Sequence, residues 1–284
     1  MTRRLKLFTS LSTLAATSAL ALSACGGEGE GEGEGAEGEG LASAYGTEGE
    51  GEGAGGEGEG AEGEGEGGES EGEGAANDGD PATDDAEYIY QLGLVQGHLI
   101  AFRELYALGE TDMAATHAKH PESELYAALA PAFAARSKPG FADELDALVA
   151  AGEEDGDMDA AYADAIAAIE AHIPDADVKN YLLAAAKMAE TAAEEFDIGV
   201  EDDGAISNAH EYQDAFGFLV SARNIVSMAQ ADTVDESEAV GVAQEQIEIA
   251  LGAFDELTAS STDGAPSTLY GAAARIEIAA LGLS

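Results

Sequence analysis

The chain holds five histidines, His98, His117, His120, His172 and His210, and two of them stand three residues apart. On a helix, residues at i and i+3 share a face, so His117 and His120 can offer imidazole nitrogens to one ion. Glu124 follows just beyond Pro121, and His210 adjoins Glu211. Imidazole combined with carboxylate suits Zn²⁺, Cu²⁺ or iron. The candidate metal ligands are therefore His117, His120, Glu124 and His210. His98 can join them if the helices carrying His98 and His210 pack together. In the competing reading, His117 and His120 are exposed residues at a helix end, and Pro121 opens the next helix.

Other chemistry finds less support. Asp155, Asp157 and Asp159 fill positions 1, 3 and 5 of a calcium loop, but position 6 is Ala160 and position 12 is Ile166, where that loop needs Gly and Glu. The acids instead suit a helix start, where negative charge is favoured. There is no Gly-rich phosphate loop with a Lys and no Ser-His-Asp set at diagnostic spacing. The chain thus reads as a binding protein and not an enzyme. Arg223 falls on an otherwise apolar face. It either meets a carboxylate or an anionic ligand, or snorkels at a bundle edge.

Helices must position these residues. From about Asp84 onward, Ala, Leu, Ile, Tyr and Phe recur at helical spacing among the acids. Tyr88, Leu92, Val95, Leu99, Phe102 and Tyr106 step by four and three, as do Val240, Ala243, Ile247, Ala250, Phe254 and Leu257. Gly and Pro supply the breaks. The pattern predicts helices near 85–108, 111–118, 121–136, 140–151, 157–172, 175–197, 206–230, 235–259 and 266–282. Short connections between them imply an all-α, antiparallel helical bundle.

Two segments match at an offset of 124. Glu87-Tyr88 precedes Leu92-Gly93-Leu94-Val95, and Glu211-Tyr212 precedes Phe216-Gly217-Phe218-Leu219. Gly93, Gly97 and Ala101 form a ridge of small residues, which Gly217 and Ser221 begin to repeat. Such ridges let helix backbones approach closely, so two duplicated half-bundles packed through them are expected.

Charge narrows the partners. Residues 84–284 carry 39 acids and 8 bases, a net charge of −31. Nucleic acid requires Lys and Arg to displace counterions, so it is excluded as a partner, and direct docking on anionic lipid is disfavoured. Residues 25–83 are almost entirely Gly and Glu after Cys25, with little to bury, which predicts a disordered tether. About 57 such residues span roughly 40 Å.

The first 24 residues have the layout of a secretory signal: Arg3, Arg4 and Lys6, then an uncharged stretch, then small residues. Lys6 stands where a twin-arginine signal usually has Phe, so the general secretion route is expected. Leu22-Ser23-Ala24-Cys25-Gly26 resembles the lipobox of bacterial lipoproteins. That resemblance implies cleavage before Cys25, the only cysteine, and its lipidation, giving attachment to a membrane of the cell envelope. Gly26 is not the Asp associated with inner-membrane retention, which favours an outer membrane, facing the periplasm.

The layout of lipoprotein and Ala-rich duplicated helical domain resembles the imelysin-type periplasmic proteins of iron uptake. Their Gly-x-His-x-x-Glu motif is missing: Gly97 and His98 are adjacent, and no His has Glu three residues later. The resemblance is architectural and carries no residue over. Two functions are therefore expected of the chain. One is a lipid-anchored binding or scaffold protein acting on an unknown protein or small ligand. The other is a periplasmic metal- or haem-binding protein accessory to metal uptake.

Overall fold

The computed structural model describes residues 79–121, 125–153 and 156–284. The leader, Cys25 and the tether up to residue 78 lie outside the described residues, as do Glu124 and the side chain of His120. The described chain is helical: α1 (Asp85–Leu108), α2 (Thr111–His120), α3 (Tyr126–Ala135), α4 (Ala142–Glu153), α5 (Met158–His172), α6 (Val178–Gly199), α7 (Ala209–Met228), α8 (Val234–Leu251) and α9 (Pro266–Leu281). None of these helices is long and apolar enough to cross a membrane.

Local chemistry sets several boundaries. Asp84 caps α1 by accepting from the Glu87 N–H, and Gly109 ends it in the left-handed region at φ 85°. Arg136 fixes the start of α1 from outside. Its guanidinium pairs with Asp85 at 2.6 Å, donates to the Pro81 and Asp84 carbonyls, and lies over the Tyr88 ring. Thr233 and Glu236 form a reciprocal capping box at the start of α8. Pro121 follows α2 directly in right-handed helical conformation and is itself part of a helical turn, and α3 begins at Tyr126.

The expected α1 stripe is buried, with Tyr106 at its edge, but so are Ile89, Leu94, Gln96 and Ile100 on other faces. The reason is enclosure: α2, α5, α6 and α7 all pack against α1, and a helix covered on every side has no polar face. α6 is the other hub, touching α1, α7, α8 and α9. Its buried Ala184, Ala185, Ala189, Ala192 and Ala193 let these neighbours come close.

α8 ends at Leu251, eight residues before the expected end. The 4-3 rhythm continues past Gly252 without helix. Phe254 turns inward from the following loop onto Phe196, Tyr212 and Phe216, with ring centroids 5.0–5.7 Å apart. Thr262 Oγ1 donates to the Ala253 carbonyl at 2.7 Å and ties the loop back. Apolar spacing reported burial correctly there, and helix incorrectly.

The small-residue ridges meet where α1 and α7 pack. Ser221 Oγ lies 2.8 Å from the Gly93 carbonyl oxygen and 2.8 Å from Gln96 Oε1. A Cβ on Gly217 would overlap the Gly97 carbonyl, and one on Gly97 would overlap the Phe218 ring. Gly93 thus meets Ser221 while Gly97 meets Gly217. Each pair maps onto the other under the offset of 124, which is the reciprocal pattern of a two-fold contact. The helices run antiparallel, since later residues of α1 meet earlier residues of α7. Arg223, which occupies the place of Leu99 under this offset, is exposed and lies 3.5 Å from Glu248.

Candidate metal centre

The α1–α7 contact sets the position of the polar cluster beside it. His98 lies one residue past Gly97 and so faces α7 at the closest approach. Asn208 caps α7 by accepting from the His210 N–H, which places His210 and Glu211 in the first turn and Asp214 one turn later. α2 packs across both helices and brings His117.

These residues converge on Asp214, whose side chain is fully buried. Its Oδ1 lies 2.6 Å from His98 Nδ1 and 2.8 Å from His117 Nδ1, and both imidazoles are also fully buried. Its Oδ2 faces His210 Nδ1 at 3.1 Å. His210 also faces Glu211 Oε2 at 3.7 Å, and these two side chains are 22 % and 15 % exposed. The His117 and His210 rings stack with centroids 4.2 Å apart and planes 6° from parallel. Phe218 packs edge-on against His98.

A second layer orients the first. Gln213 Nε2 donates to the Leu257 carbonyl at 3.0 Å, which turns its Oε1 toward α2. That oxygen accepts from His117 Nε2 at 2.9 Å. His117 is thereby held with Nε2–H on an amide oxygen and Nδ1 aimed at Asp214. Metal-ligating histidines are oriented in the same way, by a hydrogen bond from the nitrogen that does not bind.

The electrostatics are those of a buried anion held by imidazoles. Burial opposes ionisation of Asp214, but His98, His117 and His210 overcome it and hold the carboxyl well below its usual range. Burial also opposes charge on His210, yet the Asp214 and Glu211 carboxylates beside it push its pKa up to about 9. His210 in turn lowers the Glu211 pKa against burial, with help from a hydrogen bond to Glu195 of α6.

Among the described residues, two sets of donors stand close enough to hold an ion: His98, His117 and Asp214, and His210, Glu211 and Asp214. Within each set the donor atoms lie within 4.8 Å of one another. Three imidazoles and a carboxylate suit a divalent first-row transition ion. Protons perform the same neutralising task in the metal-free protein, so ion binding would displace them.

Of the residues expected from sequence, the structure brings His117 and His210 together and adds His98. His120 ends α2, and its side chain, with Glu124, lies outside the described residues. Sequence spacing alone does not single out Asp214 or Gln213, although His210 and Asp214 at i and i+4 are a usable signal. His172 lies apart. It packs among Phe133 and Phe141, and its Nδ1 donates to the Ala168 carbonyl at 2.7 Å.

Fold and cluster together define an all-helical protein with a buried histidine–carboxylate centre between α1, α2 and α7. Compared with protein-family models, curated proteins and solved structures, the chain has no match.

Proposed function

We propose that the protein is an exported, lipid-anchored helical protein of the bacterial envelope that holds divalent transition metal at the centre formed by His98, His117, His210 and Asp214. One observation carries the metal reading: three imidazole Nδ1 atoms converge on the two oxygens of one buried carboxylate. The centre suits holding more than turnover. His98, His117 and Asp214 are sealed from solvent, and the rings are covered by Phe218 and by each other. The Nδ1 atoms that would bind iron are turned onto the buried Asp214 carboxylate, so the geometry favours a bare ion over haem. The anchor and tether rest on the sequence, on Cys25 and the Gly/Glu run behind the lipobox-like stretch.

The test uses the full chain purified without a His tag, stripped with chelator and offered Zn²⁺. Wild type should retain metal through desalting, and Asp214→Ala should lose it. The variant also corrects for weak binding by the many other carboxylates. Equal retention by the two proteins would sink the metal reading. For the anchor, Cys25→Ser should release the protein from the membrane fraction. Unchanged fractionation and mass would count against lipidation.

A further inference from the structure

We infer that the centre takes two ions and not one, bridged by Asp214, with an inner site at His98 and His117 and an outer site at His210 and Glu211. This rests on the metal-binding reading above and specifies what that site holds.

The two oxygens of Asp214 face different partners. Oδ1 is approached by His98 and His117, and Oδ2 by His210. Glu211 stands beside His210 on the Oδ2 side. The two donor sets therefore share Asp214 and nothing else. A single ion would have to reach both edges of the carboxylate at once. Two ions each take one oxygen, which is the usual bridging mode of a carboxylate.

The stacked rings set the spacing. A metal lies in the plane of the imidazole it binds. The His117 and His210 planes are parallel to within 6°, with centroids 4.2 Å apart. Ions in those two planes, each against its own oxygen of Asp214, fall near the roughly 3.5–4 Å separation of two-metal sites. Neighbouring charge favours the pair. Asp214 and Glu211 each supply a negative charge, and Glu195, 5 % exposed, adjoins Glu211.

The sites differ in donor and access. The inner site offers two nitrogens and one oxygen from fully buried side chains. The outer site offers one nitrogen and two oxygens, and its His210 and Glu211 reach solvent. The outer site is thus the entry, and it suits harder ions than the inner site does.

The experiment is metal stoichiometry on the full untagged chain. Metal-free protein is loaded with Zn²⁺, desalted and analysed for zinc per chain, with Asp214→Ala as background. Wild type should hold two ions above background, and Glu211→Gln, which alters a partly exposed side chain, should hold one. Loading with Cu²⁺ gives an independent readout: paired ions at this distance give a coupled electron paramagnetic resonance spectrum, and Glu211→Gln should restore an isolated one. One zinc in wild type, unchanged by Glu211→Gln, with an uncoupled copper spectrum, overturns the two-ion site and leaves the single-ion function standing. No zinc above background overturns both.

Discussion

Asp214 in α7 and Tyr90 in α1 are related by the offset of 124, and their surroundings differ. Around Asp214 stand three histidines. Tyr90 shares a 2.9 Å hydrogen bond with Thr191 of α6. Glu211 faces His210, whereas its counterpart Glu87 pairs with Lys187 at 2.7 Å and accepts from Gln91. The places of His98 and His210 are taken by Ala222 and Ala86. The region around Tyr90 is open, with a cleft of about 490 Å³ lined in part by Glu87, Tyr90, Lys187 and Glu190. One backbone contact thus supports a histidine-rich polar centre on one side and, on the other, an ion pair in which Lys187 reaches solvent while Glu87 is buried. Packing at the ridge is common to both, and the chemistry belongs to whichever side chains surround it.

The largest effect should come from breaking what both regions share. In Gly217→Leu the new side chain would meet the Gly97 backbone, which cannot rotate away. The helices must separate, and overpacking against backbone costs about 3 kcal/mol or more, a large part of the roughly 5–15 kcal/mol that holds a domain. Denaturant unfolding should show a lost or strongly weakened transition. A wild-type midpoint would mean that the ridge contact is not what joins α1 to α7.

Next come paired substitutions that separate the two regions. Asp214→Asn leaves His98, His117 and His210 without their shared anion in a buried site. Breaking a buried pair costs about 3–5 kcal/mol. Glu87→Gln should cost less, about 1.5–3 kcal/mol, because the buried Gln can still accept from Gln91 and Lys187, 34 % exposed, can turn to water. Equal losses in urea unfolding would erase the distinction between them.

These comparisons also mark what the sequence could disclose. Helical spacing reveals which residues are buried, so the α1 stripe and the ridge were legible, as was nearly every helix. Spacing does not reveal where a helix stops when burial continues into a loop, which is why Phe254 and Leu257 extended α8 on paper. The site was half legible. His117 and His210 attract notice because histidine is scarce here, and His98 because its helix and that of His210 carry the matching ridges of small residues. Asp214 is one of 58 acids in the chain, and composition hides it. Only the packing of α2 across α1 and α7 singles it out.

A smaller effect should appear on changing pH in the metal-free protein. His210 has its pKa raised from 6.5 to about 9, with Asp214, Glu211 and the stacked His117 facing it. A raised pKa means that the folded state binds the proton more tightly than the unfolded state. This stabilisation is fully present below about pH 6.5 and is lost as pH rises through about 9. Asp214 has the opposite sign: its contribution is present above the ordinary 3.8 and is lost as pH falls through its depressed value. The melting temperature should therefore drop by a few degrees between about pH 6.5 and 9. His210→Gln should flatten that window, and an unchanged slope in the variant would show that another group titrates there. Lys187→Gln, at the ion pair with Glu87, should leave the slope intact.

The smallest effect sharpens the comparison at its edge. Gly241 lies 124 residues after His117, in the exposed interior of α8, and a Cβ there meets nothing within 4 Å. His117 is locked by Gln213 and Asp214, so the position that is most constrained beside Asp214 corresponds to an unoccupied one in α8. Glycine in a helix interior is destabilising by roughly 0.5–1 kcal/mol relative to alanine, through the extra freedom it loses on folding. Gly241→Ala should therefore raise stability by about that amount with no change in metal retention, read by urea unfolding and zinc analysis on the same sample. A loss of stability would show that α8 is approached there by a surface that the isolated chain does not contain. A loss of zinc would show that α8 is coupled to the metal centre, and the two regions would then no longer be independent.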